Sequence, residues 1–172
     1  HLSIRRQRQM CIRDSTWGKR GQTPVVSSTG ARFGLNLISA VNRQGGFRFM
    51  CVDGRVNAGV FIEFLKRLLH NAEQPIFLIV DGHPAHKANK VRKFVESVSP
   101  RLELYYLPPY SPDLNPDELV WNDLKNNGIG RQAISGPDQL KQAVISYLRF
   151  LQKTPSRIAS YFLAPTTKYA AG

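Results

Sequence analysis

The sequence of 172 residues is poor in cysteine and has no long apolar run. Cys11 and Cys51 are its only cysteines, which excludes a disulfide framework and a four-cysteine zinc site, and we expect both thiols to be inert. No apolar stretch approaches the roughly 20 residues that a membrane-spanning helix requires. The N-terminus also lacks the apolar core of a secretory signal. These absences predict a protein of a reducing compartment without a membrane span.

Acidic residues are also scarce, since 12 Asp and Glu stand against 24 Lys and Arg, for a net charge of +12. Such a balance favours polyanionic partners, with nucleic acid first and an anionic membrane surface second. A basic surface that only confers solubility stays open. Without residues 1–20, 18 basic residues still face 11 acidic ones, so the basic character does not depend on the N-terminus.

The first sixteen residues, HLSIRRQRQMCIRDST, differ from the rest of the sequence. They carry four arginines against one acidic residue and show little apolar periodicity. One interpretation is a disordered basic arm that binds phosphates. The other, which we favour, is foreign sequence joined to a truncated domain. We therefore divide the chain into an arm at 1–15, a domain at 16–165 and a tail at 166–172.

Hydrophobic patterns predict a hairpin followed by alternating helices and strands. Segment 34–54 is typical of two strands around a Gly45–Gly46 turn, and a helical pattern begins at Asn57. Residues 75–82 are a short unbroken apolar run that ends in Asp-Gly, as in a strand buried on both faces. A second helix carries Val91 and Val95 on its inner side.

The second half of the chain continues this alternation. Residues 102–107 are expected to form a strand, and helices are expected from about Pro116 and from Pro137. The predicted fold is α/β, with a mixed sheet flanked by helices. In such open sheets, sites form at the carboxyl ends of strands, and Asp81 lies at one of these ends.

A proline-rich loop precedes the third helix, in the stretch YLPPYSPDLNPDELVWNDLK at 106–125. Asn115 is expected to cap this helix, with Pro116 at its first position. Glu118 then falls where the glutamate of a capping box binds the N–H of the cap, and Asp117 complements the helix dipole. Tyr110 is expected to pack within the loop, with stacking on a base as the alternative.

Asp81 and Glu118 are the candidate catalytic and metal-binding residues. Each also has a purely structural interpretation, as an Asp-Gly turn for Asp81 and a helix cap for Glu118. A cap alone does not need the four prolines at 108, 109, 112 and 116, whereas a carboxylate that holds a metal needs a rigid support. Mg²⁺ prefers oxygen ligands and binds through one or two carboxylates plus phosphate.

Two histidines follow Asp81 in the motif DGHPAH. A zinc site of His83 and His86 is disfavoured because Pro84 disrupts the helical register that would align them. We expect His86 either to cap the following helix or to form a hydrogen bond near a scissile phosphate. Surface exposure is the simple alternative for His83.

Three segments together resemble a known family: TWGKRGQTP at 16–24, FLIVDGHPAHKANKVRKFV at 77–95 and LPPYSPDLNPDELVWNDLK at 107–125. They are similar to the DDE transposases of bacterial insertion sequences in the mariner superfamily. The resemblance covers about residues 16–165. The 36 residues between Asp81 and Glu118 suit the spacing of that family.

The resemblance implies an RNase H-like domain that uses Asp-Asp-Glu and two Mg²⁺ ions, with Mn²⁺ as a substitute, to cut and rejoin transposon DNA. Asp81 matches the second carboxylate and Glu118 the third, while Asn115 and Pro116 match the residues that present it. His86 is expected to support the site. The implied partner is double-stranded DNA at transposon ends and targets, a homodimer is compatible with the resemblance, and the implied location is the bacterial cytoplasm at the nucleoid.

The first carboxylate of the family has no convincing match here. Asp14 lies only three residues before Trp17 and outside any predicted strand. We therefore expect the first strand and its Asp to be absent, and this chain to be inactive or weakened.

The expected DNA-binding residues are cations along the predicted second helix and around the motifs: Lys19, Arg20, Lys87, Lys90, Lys93 and Lys125. Helices often carry a solvated basic face without any ligand, so each residue alone is weak support. Two alternative functions stay open, a non-catalytic DNA-binding module of the same fold and an RNase H-like nuclease or junction resolvase.

Overall fold

Five strands form one mixed sheet in the computed structural model, which describes residues 2–5, 34–130, 132 and 134–171. The strands are β1 Leu2–Arg5, β2 Asn36–Asn42, β3 Phe47–Val52, β4 Ile76–Val80 and β5 Leu102–Tyr106. Their order across the sheet is β3-β2-β1-β4-β5. β1 is antiparallel to β2 and parallel to β4, and β4 is parallel to β5. The expected α/β fold with a mixed sheet is confirmed.

Strand β1 lies at the centre of the sheet, so the expectation that the first strand would be absent is wrong. Leu2–Arg5 pairs with β2 on one side, and its first three residues pair with β4 on the other. These residues belong to the segment that we interpreted as a basic arm. Four residues are too few to show an apolar period in the sequence. The strand is identified instead by its pairing with a neighbouring strand on each side.

The β2–β3 hairpin turns at Gly45, as the sequence predicts. Its backbone has φ +89°, and the N–H of Gly45 donates to the carbonyl of Asn42 over 3.1 Å. A Cβ at this position would lie 2.4 Å from the carbonyl oxygen of Pro155. Only glycine combines this backbone conformation with such a close approach.

Strand β4 is buried on one face, which corrects the prediction of burial on both. Ile76, Leu78 and Val80 are buried, whereas Phe77 is 37% exposed. Two helical layers explain the difference. The first two helices pack on one face against buried residues of β2, β3, β4 and β5, while the later helices contact β1, β2 and β3 on the other face.

Of the five α-helices in the described part of the chain, four begin close to the predicted positions, and the fifth, at Pro155–Ser160, was not predicted. The five are α1 Ala58–Leu69, α2 Asn89–Val98, α3 Asp117–Asp123, α4 Pro137–Gln152 and α5 Pro155–Ser160. Asn57 caps α1, since its side-chain oxygen accepts from the N–H groups of Gly59 and Val60 over 2.9 and 3.1 Å. A π-helical segment at Leu124–Ile129 continues α3. Within the part of the chain that the structure describes, no helix combines the length and apolarity needed to cross a bilayer.

The end of the chain packs against the domain. Lys168–Ala171 forms a short 3-10 helix, and Ala170 is buried in the core formed with α3 to α5. Thr167 donates its hydroxyl to the carbonyl of Tyr161 over 2.6 Å. The residues that we separated as a tail therefore continue the folded domain as far as Ala170.

Candidate active site

A cleft of about 420 Å³ lies where β4 and β5 end. One wall is the turn at 81–87 and the other is the proline loop at 107–115. The N–H of Leu107 donates to the carbonyl of Val80 over 2.8 Å, so the two strand ends are tied together. The cleft is lined by Asp81, Gly82, His83, Pro84, Lys87, Leu107, Pro108, Pro109, Tyr110, Ser111, Pro112 and Asn115.

Asp81 stands at the mouth of this cleft, directly after β4. Its side chain is 27% exposed, and its Oδ1 accepts from the backbone N–H of His83 over 3.0 Å. This contact is an Asx turn, as the structural interpretation of the Asp-Gly pair predicts. The turn fixes one oxygen of a carboxylate that solvent can still reach.

His86 is the second group that holds Asp81. Its ring is 1% exposed, and its Nδ1 lies 2.9 Å from Asp81 Oδ1. The ring packs on Phe61 with centroids 4.2 Å apart, and Tyr106 donates its hydroxyl to the carbonyl of His86 over 3.2 Å. A helix-capping role is wrong, because α2 begins after Ala88 and has no side-chain cap. The structure assigns His86 to the carboxylate instead.

His83 is partly buried and belongs to the same turn. Its Nδ1 accepts from the N–H of Ala85 over 3.2 Å. The rings of His83 and His86 meet edge to face, with centroids 5.3 Å apart. Simple surface exposure therefore does not describe His83.

The start of α3 has the predicted cap. Asn115 Oδ1 accepts from the N–H of Asp117 over 3.1 Å, and Pro116 follows Asn115 with helical dihedral angles. The N–H of Glu118 donates to the carbonyl of Asn115 over 3.0 Å. The N–H of Asn115 itself donates to the carbonyl of Pro112 over 3.0 Å. The donor that a capping-box glutamate would use is thus engaged by the preceding turn.

Asp117 is a residue whose role the sequence did not reveal. It is completely buried, and its Oδ2 accepts from the hydroxyl of Ser39 over 2.7 Å and from Nε1–H of Trp121 over 3.0 Å. A dipole interaction does not account for this burial. The spacing of four residues between Asp117 and Trp121 was the available signal, because such pairs meet on one helix face. The contact with Ser39 could not be predicted from a local pattern, because Ser39 lies 78 residues before Asp117.

The start of α3 and Asp81 lie at the same end of the sheet. Ser39, which binds α3 through Asp117, pairs with Arg5 on β1. The residue before Arg5 pairs with Val80, which precedes Asp81. Asn115 lines the cleft together with Asp81. Glu118 follows Asn115 by three residues and is 8% exposed, but it is not among the residues that line the cleft.

The carboxylates suit a divalent cation in part. Asp81 and Glu118 offer the oxygen ligands that Mg²⁺ prefers. Strand β1 has the sequence LSIR and adds no carboxylate. Among the described residues, no group of three or more His, Cys, Asp or Glu side chains is arranged to hold a metal. Asp81 and Glu118 are both oxygen donors of the kind that such an ion takes together with water or phosphate.

Cations border the cleft on its α2 side. Lys87 lines the cleft, and its Nζ lies 5.5 Å from the ring centroid of Tyr106. Lys90 and Lys93 are exposed on α2, whereas Lys125 is partly buried in the π-helical segment. Lys19 and Arg20 lie outside the described residues.

Burial raises the pKa of the Cys51 thiol, in agreement with its expected inertness.

Comparison with solved structures defines the fold class first. The Mos1 mariner transposase, in its paired end complex with Mn, matches 98% of this chain and 55% of its own, with 16% identity and a TM-score of 0.65. Its isolated catalytic domain matches 98% of this chain and 82% of its own, with 13% identity and a TM-score of 0.60. The likeness shows that the predicted RNase H-like fold is present.

The family follows from the sequence comparison. The model of the DDE superfamily endonuclease matches residues 4–141, and the chain therefore belongs to this family. A 39 kDa protein of insertion element IS630 from Shigella sonnei is 28% identical over 142 residues, which cover 81% of this chain and 41% of that protein. The chain thus spans less than half the length of this curated relative. Membership of the DDE superfamily endonucleases, together with similarity to an insertion-element protein and to a mariner transposase, confirms the predicted resemblance.

Proposed function

We propose that this chain is part of the catalytic domain of a transposase that cuts and rejoins DNA at transposon ends. One observation carries the proposal. Asp81, fixed by His86, opens into a cleft whose other wall leads through Asn115 to Glu118. The solved Mos1 complexes include one with a left transposon end, which supports double-stranded DNA as the partner here.

Asp81 and Glu118 are the residues that would hold Mg²⁺, or Mn²⁺ in its place. When bound, such an ion activates water and stabilises the charge that develops on a phosphodiester during displacement. The chain's own part is positioning: the His83 N–H and the His86 ring fix Asp81 Oδ1. The cap at Asn115 fixes the backbone that carries Glu118. Lys87 supplies positive charge for a phosphate.

Catalysis with two metal ions needs more carboxylate ligands than the described residues provide. A pair of ions is normally bridged and flanked by several carboxylates, and β1 contributes none. We therefore infer that this chain binds one ion weakly and cleaves DNA slowly or not at all, although an intact site of the family would hold two.

The test measures Mn²⁺ binding by electron paramagnetic resonance beside plasmid nicking in Mg²⁺ or Mn²⁺. We expect one weak site in the unaltered chain and at least about tenfold weaker binding in Asp81→Asn and in Glu118→Gln. Asp113→Asn is the matched control, since it changes an exposed carboxylate in the same loop. Equal Mn²⁺ affinity in all four proteins would refute the shared site. Rapid nicking that Asp81→Asn abolishes would show that the site is complete.

The sequence of β1 also favours a second candidate function, a non-catalytic DNA-binding module. Without a carboxylate on the central strand, the domain would keep its basic surface for DNA but would have no catalytic activity. This function predicts salt-sensitive DNA affinity that is the same in Asp81→Asn and Glu118→Gln as in the unaltered chain, with no nicking. The same two variants therefore separate the two candidates.

A further inference from the structure

Tyr110 at the tip of the proline loop is completely exposed, at 102% of its reference area. The expectation that it packs within the loop is wrong. Its backbone has φ +58°, a left-handed conformation that is uncommon for a residue with a large side chain. An exposed aromatic ring on a strained backbone suggests a role for the ring beyond folding.

The loop that carries Tyr110 is anchored on both sides. Before it, the Leu107 N–H binds the carbonyl of Val80 over 2.8 Å. After it, the hydroxyl of Tyr169 donates to the carbonyl of Leu114 over 2.8 Å, and a 3-10 turn at Pro112–Leu114 leads into the cap of α3. Prolines at 108, 109 and 112 restrict the backbone further. The backbone that carries the ring is therefore restrained, which lowers the entropic cost of ordering the ring against a ligand.

Tyr110 also lines the cleft that holds Asp81 and Lys87. The cleft volume of about 420 Å³ lies in the range of sites for one small ligand, roughly 300–1,000 Å³. It suits a single nucleotide and is too small for a duplex. An aromatic face, a cation for phosphate and an open cleft are the elements with which proteins bind an unpaired nucleotide.

We propose that Tyr110 stacks on an unpaired base of the DNA strand whose phosphate lies beside Lys87 and Asp81. The site would thus prefer DNA in which a base next to the reacting phosphate has left the double helix. The inference rests on the proposed function, because it takes DNA as the ligand of this cleft. It adds a selectivity for locally unpaired DNA that the carboxylates do not provide.

The experiment compares the affinity of the chain for two short DNA duplexes of equal length. One is fully paired, and the other has a mismatch with 2-aminopurine at the unpaired position. Binding is measured in EDTA, so that no cleavage occurs and the result does not depend on a metal. We expect the mismatched DNA to bind about tenfold tighter, with quenched 2-aminopurine fluorescence, as stacking on one aromatic side chain implies.

Three variants make the test specific. Tyr110→Gly removes the ring and tolerates the positive φ, so we expect the preference to vanish without a fall in the unfolding temperature. Tyr110→Phe should keep the preference. Phe150→Ala removes an exposed aromatic ring of α4, away from the cleft, and should also keep it.

A preference that survives in Tyr110→Gly, or that is absent from the unaltered chain, would overturn the stacking role while leaving DNA binding intact. Failure to bind either duplex would overturn the stacking role and count against DNA as the ligand. Loss of Mn²⁺ binding in Asp81→Asn is scored separately. Failure of the stacking role is thus distinguishable from failure of the proposed function.

Discussion

At the scale of single residues, the carboxylates differ in how they are held. Asp81 keeps part of its surface open, although a buried histidine and a backbone N–H bind its Oδ1. Such partners orient a metal-binding carboxylate and restrict its rotation. Asp117 is fully buried and accepts from Ser39 and Trp121. Two neighbouring acids of one helix therefore have separate tasks, since Glu118 is a candidate ligand and Asp117 fastens the helix to the sheet.

Replacement of Asp117 tests this fastening role. Asp117→Ala leaves the hydroxyl of Ser39 and the indole N–H of Trp121 buried without their acceptor, and we expect a loss of about 3 kcal/mol in the free energy of unfolding. Asp117→Asn retains an acceptor oxygen and should lose about 1 kcal/mol. Urea unfolding at neutral pH measures both values.

The control for this experiment is Asp113→Ala, which removes an exposed acid four residues earlier. Its effect should stay within about 0.5 kcal/mol, as for most surface substitutions. If Asp117→Ala were equally mild, the hydrogen bonds to Ser39 and Trp121 would contribute nothing to stability.

At the scale of elements, one carboxylate joins three helices. Asp123, at the end of α3, forms two hydrogen bonds with Arg157 of α5 at 2.7 and 2.5 Å. Tyr147 of α4 donates to its Oδ1 over 3.1 Å, and Tyr161 donates to its Oδ2. The side chain of Asp123 is 7% exposed. This cluster fixes α4 and α5 against the helix that begins at the candidate site.

The cluster predicts a pH dependence of stability. Burial acts to raise the pKa of Asp123, but the hydrogen bonds from Arg157, Tyr161, Asn127 and Tyr147 outweigh it and leave the pKa below the ordinary 3.8. Because the pKa is lower in the folded state, the contribution is complete above the ordinary pKa. It is lost as the pH falls through the folded-state pKa.

We therefore expect Asp123→Asn to lower the free energy of unfolding by about 2 kcal/mol at neutral pH, because hydrogen bonds to a buried carboxylate are weakened or lost. The difference from the unaltered chain should shrink as the pH falls below about 4. Thermal unfolding between neutral and acid pH measures it. Asp138→Asn, an exposed acid of α4, is the matched control. A difference that stayed constant with pH would contradict the assigned ionisation.

The same elements show what the sequence can predict. Long patterns such as those of α1 and α4, the turn at Gly45 and the cap at Asn115 depend on local physics, and they were confirmed. The existence of strand β1 and the exposure of one face of β4 depend on which elements pack beside them. A local sequence pattern does not contain that information. The roles of Asp117 and Asp123 likewise depend on partners far along the chain. The assignment of Asp81 and Glu118 to a shared ion stays a prediction.

At the scale of the whole molecule, the net charge of +12 becomes informative through its placement. Lys87, Lys90 and Lys93 lie on the α2 side of the cleft, next to the β4–β5 edge of the sheet. A comparable group of exposed cations lies towards the β3 edge, at Arg48, Arg149 and Lys153. Because the two groups carry the same charge, variants of each group can separate the effect of position on DNA binding from the effect of net charge.

If DNA reaches the cleft along α2, the triple change of Lys87, Lys90 and Lys93 to Gln should weaken duplex binding and reduce its salt dependence. Each phosphate contact contributes about 0.9 to the slope of log K against log salt, so three lost contacts should lower the slope by about 2.7. The triple change of Arg48, Arg149 and Lys153 to Gln removes the same charge and should alter the slope by less than about 1, because only long-range attraction is lost. Fluorescence anisotropy over a salt series measures both slopes. Equal reductions in the two triple variants would mean that DNA senses only the net charge, and the path along α2 would then have to be abandoned.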